Sequence, residues 1–569
     1  FNETSHLDYP WQMTIQNINN SILPPSEFLS WESMSSFGSD KFEYGSDIIV
    51  SDSGDYYVFS QGTADINMGS NCLSRHNVSY NYFLPFIAKF DSDSNCLWVK
   101  NTDIPSGWSY AQNVEKMELD SNGNLYFISF IHPNSGGLTA SFGGVQFTTQ
   151  TGGNLFLTKI SHNGNVEWVI NKGTGGCPCA LTIDSNDDVI ISHGTGSSGL
   201  GLRIQKVDST GNVLSTYDLN GAGTGQNIAR SYGLVSNSNN DVYMVGFYRG
   251  SVSFPGGNTY NCQNCNTGYV AKFDSNLSLK WVEEIESSTS SSQVKGIDLI
   301  DDDRIYVIGT FYAELDFDGT IINSGGNLNG FAAEINSTGN WQWVAQIECS
   351  CSVETYDISL DSLNNLYIVG SHRGFIYFGG VQLPQSGAKG DGYVLMFNST
   401  GIAKWGKSFG GPEEDKFQSV FFDTNSTNLF VVGSFESTAV TDGFTKTSAG
   451  ESDMVVGIMS RDYDGDDITD KFDFDDDNDF INDALDSCHY SPIGFRSTGS
   501  SDHDSDGCDD ELEDYDDDND QLNDTLDNCP KGMTGWIRTN ASDLDDDGCM
   551  DALEDYDDDN DGFEDYEDY

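Results

Sequence analysis

The sequence predicts an all-β protein: a seven-bladed β-propeller followed by an irregular, loop-rich calcium-binding repeat stalk. Three observations carry this expectation. A set of three strand-like phrases recurs seven times as far as Arg461, the remaining residues form a second repeat of 41 residues rich in aspartate, and the composition is poor in helix formers. The 569 residues, 37% apolar and 20% charged, suffice for two or three cores. Lys+Arg is 26 against Asp+Glu 89, a formal net charge of −63, which repels phosphate backbones and anionic membranes. No nucleic-acid partner is expected. The longest apolar runs, such as 125–131, are too short to cross a bilayer, so no membrane insertion is expected either. The expected organisation is an N-terminal arm over 1–27, the propeller over 28–461 and the Asp-rich repeats over 462–569.

The arm carries Pro10, Pro24 and Pro25 and a short apolar stretch around Trp11–Ile18, outside the ring and free to pair elsewhere. The first propeller phrase is a β-patterned run beginning at Asp55, Asn124, Asp188, Asp241, Arg304, Asn365 and Asn428, often ending in Val-Gly. The second is a strand ending in a turn, beginning at Phe86, Phe156, Leu202, Tyr269, Phe331, Tyr393 and Met454. The third follows a Gly/Asn turn and centres on Trp31, Trp98, Trp168, Trp281, Trp343 and Trp405, with Leu214 in the degenerate position. Short β-branched and aromatic runs bounded by such turns are strands and hairpins. Four strands per unit of roughly 60 to 70 residues is long for a blade but within that architecture. Trp31 has no second phrase before it and 454–459 has no tryptophan phrase after it, so the two ends complete one another. The ring is expected to close by pairing residues near Trp31 with 453–459, which removes two free edges.

The phrases Gly-Tyr-Val-Ala-Lys-Phe-Asp-Ser with Lys-Trp-Val (268–282) and Asp-Ser-Leu-Asn-Asn-Leu-Tyr-Ile-Val-Gly (361–370) resemble secreted prokaryotic β-propeller repeats of the SBBP type. The resemblance covers about 28–460 and implies a fold and a secreted location, not a reaction.

From Asp462 onward there are 41 acidic and 4 basic residues, a net of −37. Asp502, Asp504 and Asp506 stand at positions 1, 3 and 5 of a loop, with Gly507 at 6 and Glu513 at 12; Asp543, Asp545, Asp547, Gly548 and Glu554 repeat the pattern. Asp462, Asp464, Asp466 and Asp473 form a third copy, with Asp467 in place of the glycine. A second type of loop follows each: Asp475, Asp477, Asp479 with Asp486; Asp516, Asp518, Asp520 with Asp527; Asp557, Asp559, Asp561 with Asp568. About six Ca²⁺ sites are expected, since alternating carboxylates let a short loop wrap one hard cation. Helical EF-hands are set aside, because the residues between loops are too few and too polar for paired helices. Asp-x-Asp-x-Asp-Gly-Cys at 502–508 and 543–549, with Asp-Asn-Cys-Pro at 527–530, resembles thrombospondin type-three repeats, apart from inserts at 489–501 and 530–542.

Twelve cysteines, an N-terminal residue that is not methionine and nine Asn-x-Ser/Thr sequons point to a secreted, extracellular or cell-surface glycoprotein. The equal spacing of Cys488/Cys508 and Cys529/Cys549 predicts two disulfides, each closing a loop of about 20 residues and contributing on the order of 3 kcal/mol. Cys72 is expected to pair with Cys96, and local disulfides are expected at Cys177/Cys179, Cys262/Cys265 and Cys349/Cys351. Histidines are scattered, arginines are few, and no constellation of nucleophile, base and oxyanion donors stands out. The expectation is therefore a structural or adhesive protein rather than an enzyme, with other copies of itself, assembled head to tail, or cell-surface glycans as partners. The alternative is a glycan-binding or glycan-cleaving propeller.

Overall fold

The computed structural model describes residues 28–569 except 70–71, 76–82, 105–110, 132–136, 138, 151–152, 175–179, 196–200, 220–226, 286–290, 386, 388, 565 and 567–569. The expected arm, 1–27, lies outside the described residues, as do Cys177, Cys179 and Asp568. The chain divides into two compact units, Trp31–Ser460 and Phe1–Ser30 with Arg461–Tyr569.

The first unit is a seven-bladed β-propeller. Each blade is an antiparallel sheet of four strands, and the inner strands are Glu43–Val50, Ala111–Leu119, Ala180–Ile183, Ile228–Ser236, Ser292–Leu299, Ser352–Leu360 and Lys416–Asp423. Each packs against the next, and the last against the first, so they ring a central channel. The seventh blade takes its outer strand from the other end of the chain: Leu29–Phe37 bonds to Asp453–Arg461, closing the ring as expected.

The recurring phrases have local causes. The Asp or Asn that ends the second phrase accepts backbone N–H groups two and four residues on, as Asp274 does from Asn276 and Ser278 and Asn398 from Thr400 and Ile402. This side-chain turn forms the hairpin. The tryptophans stand on outer strands and pack on the tyrosine two strands away, Tyr57–Trp98, Tyr243–Trp281 and Tyr306–Trp343 among them, with ring centroids 5.3–6.1 Å apart. In the first two of these pairs the lysine between the rings lies over the tyrosine and pairs with the aspartate that opens the first phrase, Lys89–Asp55 at 2.8 Å and Lys272–Asp241 at 2.9 Å, whereas between Tyr306 and Trp343 stands Glu334, which accepts the Trp343 indole N–H at 2.8 Å. Gly164, at φ 80, brings the next blade's turn onto Trp98, where a side chain would collide.

The long repeat has a structural reason that the phrases do not reveal. In several blades a hairpin is inserted between the second and third strands. The hairpin Thr139–Phe142 with Val145–Thr148 bonds to the outer strand Cys96–Asp103 of the preceding blade, and Ile376–Phe378 with Val381–Leu383 bonds to Trp341–Cys349, making two sheets six-stranded. Each covers an exposed sheet edge.

Among the described residues the second unit has neither helix nor strand beyond Arg461 and is a succession of turns. Cys488–Cys508 and Cys529–Cys549 are bonded as expected, as are Cys72–Cys96 and Cys262–Cys265. Cys349 and Cys351 correct the expectation: both are free thiols. Cys349 is buried, with its Sγ 3.0 Å from the Arg373 carbonyl, whereas Cys351 faces solvent, so the two thiols diverge. The four disulfides among the described residues indicate an oxidising, extracellular setting. No helix is long and apolar enough to cross a membrane among the described residues.

Candidate functional site

Six of the seven inner strands reach the channel with the same deviation. The register against the second strand slips at Gly45/Asp47, Val114/Lys116, Ser231/Gly233, Val294/Gly296, Thr355/Asp357 and Phe417/Ser419. Each slip is a β-bulge, which bends the strand and re-aims the following side chain. Opposite four of these bulges stand Gly246, Gly309, Gly370 and Gly433, where a Cβ would collide with the carbonyl of the bulged strand. The glycine of the Val-Gly phrase is thus the mark of the bulge.

The residues after the bulges, Asp47, Lys116, Gly233, Gly296, Asp357 and Ser419, all line a cavity of about 260 Å³ in the channel. At the bulge position itself the charged side chains come from the first, second and sixth blades and glycine from the fourth and fifth, while the fifth also lines the cavity with Lys295 and Asp298. Lys116 Nζ lies 2.8 Å from Asp357 Oδ2 and 3.3 Å from Asp47 Oδ1. Ser419 Oγ bridges the same two oxygens at 2.6 and 2.7 Å, and the Met117 N–H donates to Asp47 Oδ2 at 2.6 Å. Burial opposes the Lys116 charge, but Asp357 and Asp47 outweigh it and hold the ammonium above the ordinary lysine range. Two residues beyond the bulge on their strands, Glu118 and Asp298 also line the cavity. Burial, then the charge of Asp47, pushes Glu118 up to about 8; burial, then Asp357, pushes Asp298 up to about 7. Two carboxyls that titrate near neutrality beside an ion-paired lysine can give and take protons. None of these residues was singled out in the sequence. For Asp298, Asp357 and Ser419 the signal was there in the Val-Gly or Ile-Gly phrase opposite the bulge, whereas the bulges before Asp47 and Lys116 stand opposite Ser60 and Ser129, which no recurring phrase marks.

In the tail the first-type loops fold alike. Asp502 accepts the Asp506 N–H at 3.2 Å and the Gly507 N–H at 3.1 Å, and Asp543 accepts from Asp547 and Gly548 at 3.1 and 3.2 Å. In the weaker copy Asp462 accepts the Asp467 N–H at 3.1 Å, and Asp467 takes the left-handed φ of 74° that the glycine has elsewhere. The second-type loops repeat the turn: Asp475 accepts from Asp479 and Phe480, Asp516 from Asp520 and Gln521, and Asp557 from Asp561 and Gly562. The carboxylates at positions 1, 3 and 5 converge, with one oxygen of each within 4.8 Å of the others in Asp462/Asp464/Asp466, Asp475/Asp477/Asp479, Asp502/Asp504/Asp506 and Asp516/Asp518/Asp520.

Asp479, Asp502 and Asp520 are buried, and Asp479 Oδ2 and Asp520 Oδ2 meet no hydrogen-bond donor. Burial, with neighbouring carboxylates, pushes Asp464 and Asp477 up to about 7 and Asp479 to about 6. At position 12, Asp486 and Asp527 accept the Cys488 and Cys529 N–H groups, and Asp527 Oδ2 is unpartnered. Glu513 accepts from Ser491 Oγ, Glu554 from the Met550 N–H, and Asp473 from the Phe474 N–H. The inserts are tied back to the loops: the Ser491 and Gly532 N–H groups donate to Asp477 and Asp518 at 2.6 and 2.8 Å. A further cluster, Asp510/Asp514/Asp517, was not anticipated; Lys531 pairs with its Asp510 and Asp517.

No family model and no curated protein matches this chain. Solved structures similar to it include a protein of unknown function from Dyadobacter fermentans, at 9% identity over 77% of this chain and 99% of that one with a TM-score of 0.38. They also include an α-L-arabinanase from Penicillium chrysogenum (10%, 63% and 96%, TM-score 0.36) and an ulvan lyase, a polysaccharide lyase (10%, 65% and 79%, TM-score 0.33). The expectation of a protein without enzymatic activity is corrected by this finding, since the similar structures include a glycoside hydrolase and polysaccharide lyases. At these values the likeness is one of architecture, and it carries neither chemistry over to this chain.

Proposed function

We propose that the protein is a secreted calcium-binding protein of the cell surface or extracellular matrix, whose tail takes up Ca²⁺ and whose propeller engages other copies of the chain or surface glycans. The observation that carries the calcium reading is a buried aspartate with an unmet oxygen, Asp479 or Asp520, inside a triad of converging carboxylates. An unpartnered buried carboxylate oxygen is costly, and a hard cation that takes six to eight oxygens relieves it and brings neighbouring carboxylates back to the charged form. The experiment is calorimetric titration of Ca²⁺ into chelator-treated protein, with Mg²⁺ as comparison. Several ions bound per chain are expected, with Asp479→Asn and Asp520→Asn together lowering the number; a chain that takes up no Ca²⁺ overturns the reading.

A second reading, a glycan-binding or glycan-cleaving propeller, is favoured by the near-neutral carboxyls of Glu118 and Asp298 in the channel and by the exposed aromatics Tyr312, Phe375 and Tyr377 on the fifth and sixth blades. Glycan-array binding, and release of reducing ends or unsaturated sugars from polysaccharides, tests it. Signal that Tyr312→Ala and Tyr377→Ala abolish supports a binding face, and loss of cleavage in Glu118→Gln supports a reaction in the channel.

A further inference from the structure

Each unit of the tail contains one loop of each type, and one side chain joins them. Asn478, Asn519 and Asn560 occupy position 4 of the second-type loops, at intervals of 41 residues. Asn478 Nδ2 donates to Asp464 Oδ2, Asn519 Nδ2 to Asp504 Oδ2 and, at 3.2 Å, to Asp506 Oδ2, and Asn560 Nδ2 to Asp545 Oδ2. The acceptors are the position-3 aspartates of the preceding loop in all three units, so the contact is built into the repeat.

The asparagines have φ of 56°, 58° and 51°, and asparagine tolerates that left-handed conformation. Backbone conformation alone does not explain the residue, however. Position 4 of the first-type loops is left-handed as well, with φ of 78°, 64° and 68°, and there it holds Gly465, Ser505 and Asp546. Where no cross-loop bond is made the residue varies, and where the bond is made it is always asparagine.

We propose that Asn478, Asn519 and Asn560 couple the two loops of a unit, so that each unit takes up calcium as a cooperative pair. The inference rests on the calcium reading above. Asn478 lies between the position-3 and position-5 carboxylates of its own loop, Asp477 and Asp479, and Asn519 lies between Asp518 and Asp520. An ion that fixes Asp464 or Asp504 in the first loop fixes the acceptor of the amide, and through it the backbone that aims two carboxylates of the second loop. Asp479 and Asp520, whose unmet oxygens mark the second-type sites, are the residues this ordering places. Loading one loop therefore lowers the ordering cost of the other, which is positive cooperativity.

The test is Ca²⁺ titration of the full disulfide-bonded chain, comparing wild type with Asn478→Gly, Asn519→Gly and Asn560→Gly combined. Glycine keeps the left-handed backbone accessible and removes only the amide. Wild type is expected to bind with a Hill coefficient approaching about 2, the limit for paired sites, and the variant to bind the same number of ions with a coefficient near 1. Ser505→Gly, at the same position of a first-type loop, should leave the wild-type curve unchanged. The single variant Asn519→Gly, with circular dichroism matching wild type in saturating Ca²⁺, guards against misfolding of the combined one and should lose cooperativity in part. An unchanged coefficient, or fewer ions bound, overturns the coupling role. Absence of any Ca²⁺ uptake by wild type overturns the calcium reading instead.

Discussion

Glu118 lines the propeller channel with its carboxyl pushed up to about 8, against about 4.3 in an unfolded chain. The folded state therefore holds this proton more tightly than the unfolded state does. The resulting stabilisation is fully present below pH about 4 and is lost as pH rises through 8. Asp298, at about 7, acts in the same direction. In constant saturating Ca²⁺, Glu118→Gln should raise the propeller's melting temperature at pH 8 and leave it unchanged at pH 4; equal shifts at both pH values would show that Glu118 does not titrate as its setting requires. Lys116 has the opposite role. It is the cation between Asp47 and Asp357, and Asp47 is buried. Lys116→Met should destabilise the propeller by about 3–5 kcal/mol, as expected when one partner of a buried ion pair is removed, and denaturant unfolding measures it. A loss of under 1 kcal/mol would show that a bound cation or a proton on one of the two carboxylates replaces the missing charge.

At the scale of elements, the strands, their order and the closure of the ring were legible because each depends on short-range patterns: an Asp or Asn turn, an alternating run, a tryptophan at fixed spacing. Trp31 shows this most directly. It is 5% exposed and lies 5.7 Å from the ring of Phe417 in the closing blade. Trp31→Ala should cost about 3–5 kcal/mol in denaturant unfolding, and a near-neutral result would mean that the closing strand contributes little to the ring. The inserted hairpins were not legible, because their pairing is with the preceding blade. Thr139–Phe142 bonds to Cys96–Asp103, a contact that no local pattern encodes. The channel was hidden for a related reason. Asp47, Lys116 and Asp357 are single residues on three strands, far apart in sequence, and only the shared bulge brings them to one level. The tail was the reverse case: spacing at positions 1, 3 and 5 already determines that the carboxylates converge, while the Asn-to-Asp bonds between loops depend on how one loop folds against the next. The diverging thiols of Cys349 and Cys351 show the limit of spacing as a guide, since closeness in sequence does not aim two side chains at each other.

For the whole molecule, charge sets the behaviour. The last 108 residues carry −37 of the formal −63. Without counter-ions such a tail repels itself, and two disulfides alone hold loops of about 20 residues rather than the spaces between them. Each Ca²⁺ removes two charges and cross-links three or more carboxylates, so the tail should be compact in calcium and expanded after chelation. The propeller owes its stability to apolar packing, to the Tyr–Trp ladder and to closure, and should keep its near-ultraviolet dichroism in both conditions. Sedimentation velocity in about 150 mM salt, where the Debye length is near 8 Å, separates the proposals. A faster-sedimenting 62.3 kDa monomer in Ca²⁺ that slows on chelation supports calcium folding of the tail without assembly. Larger species that form in Ca²⁺ and dissolve on chelation support head-to-tail association, because neutralised tails no longer keep the chains apart. A monomer with the same sedimentation coefficient in both conditions would sink both proposals, leaving the channel and the exposed aromatics of the propeller as the features on which a function would have to be built.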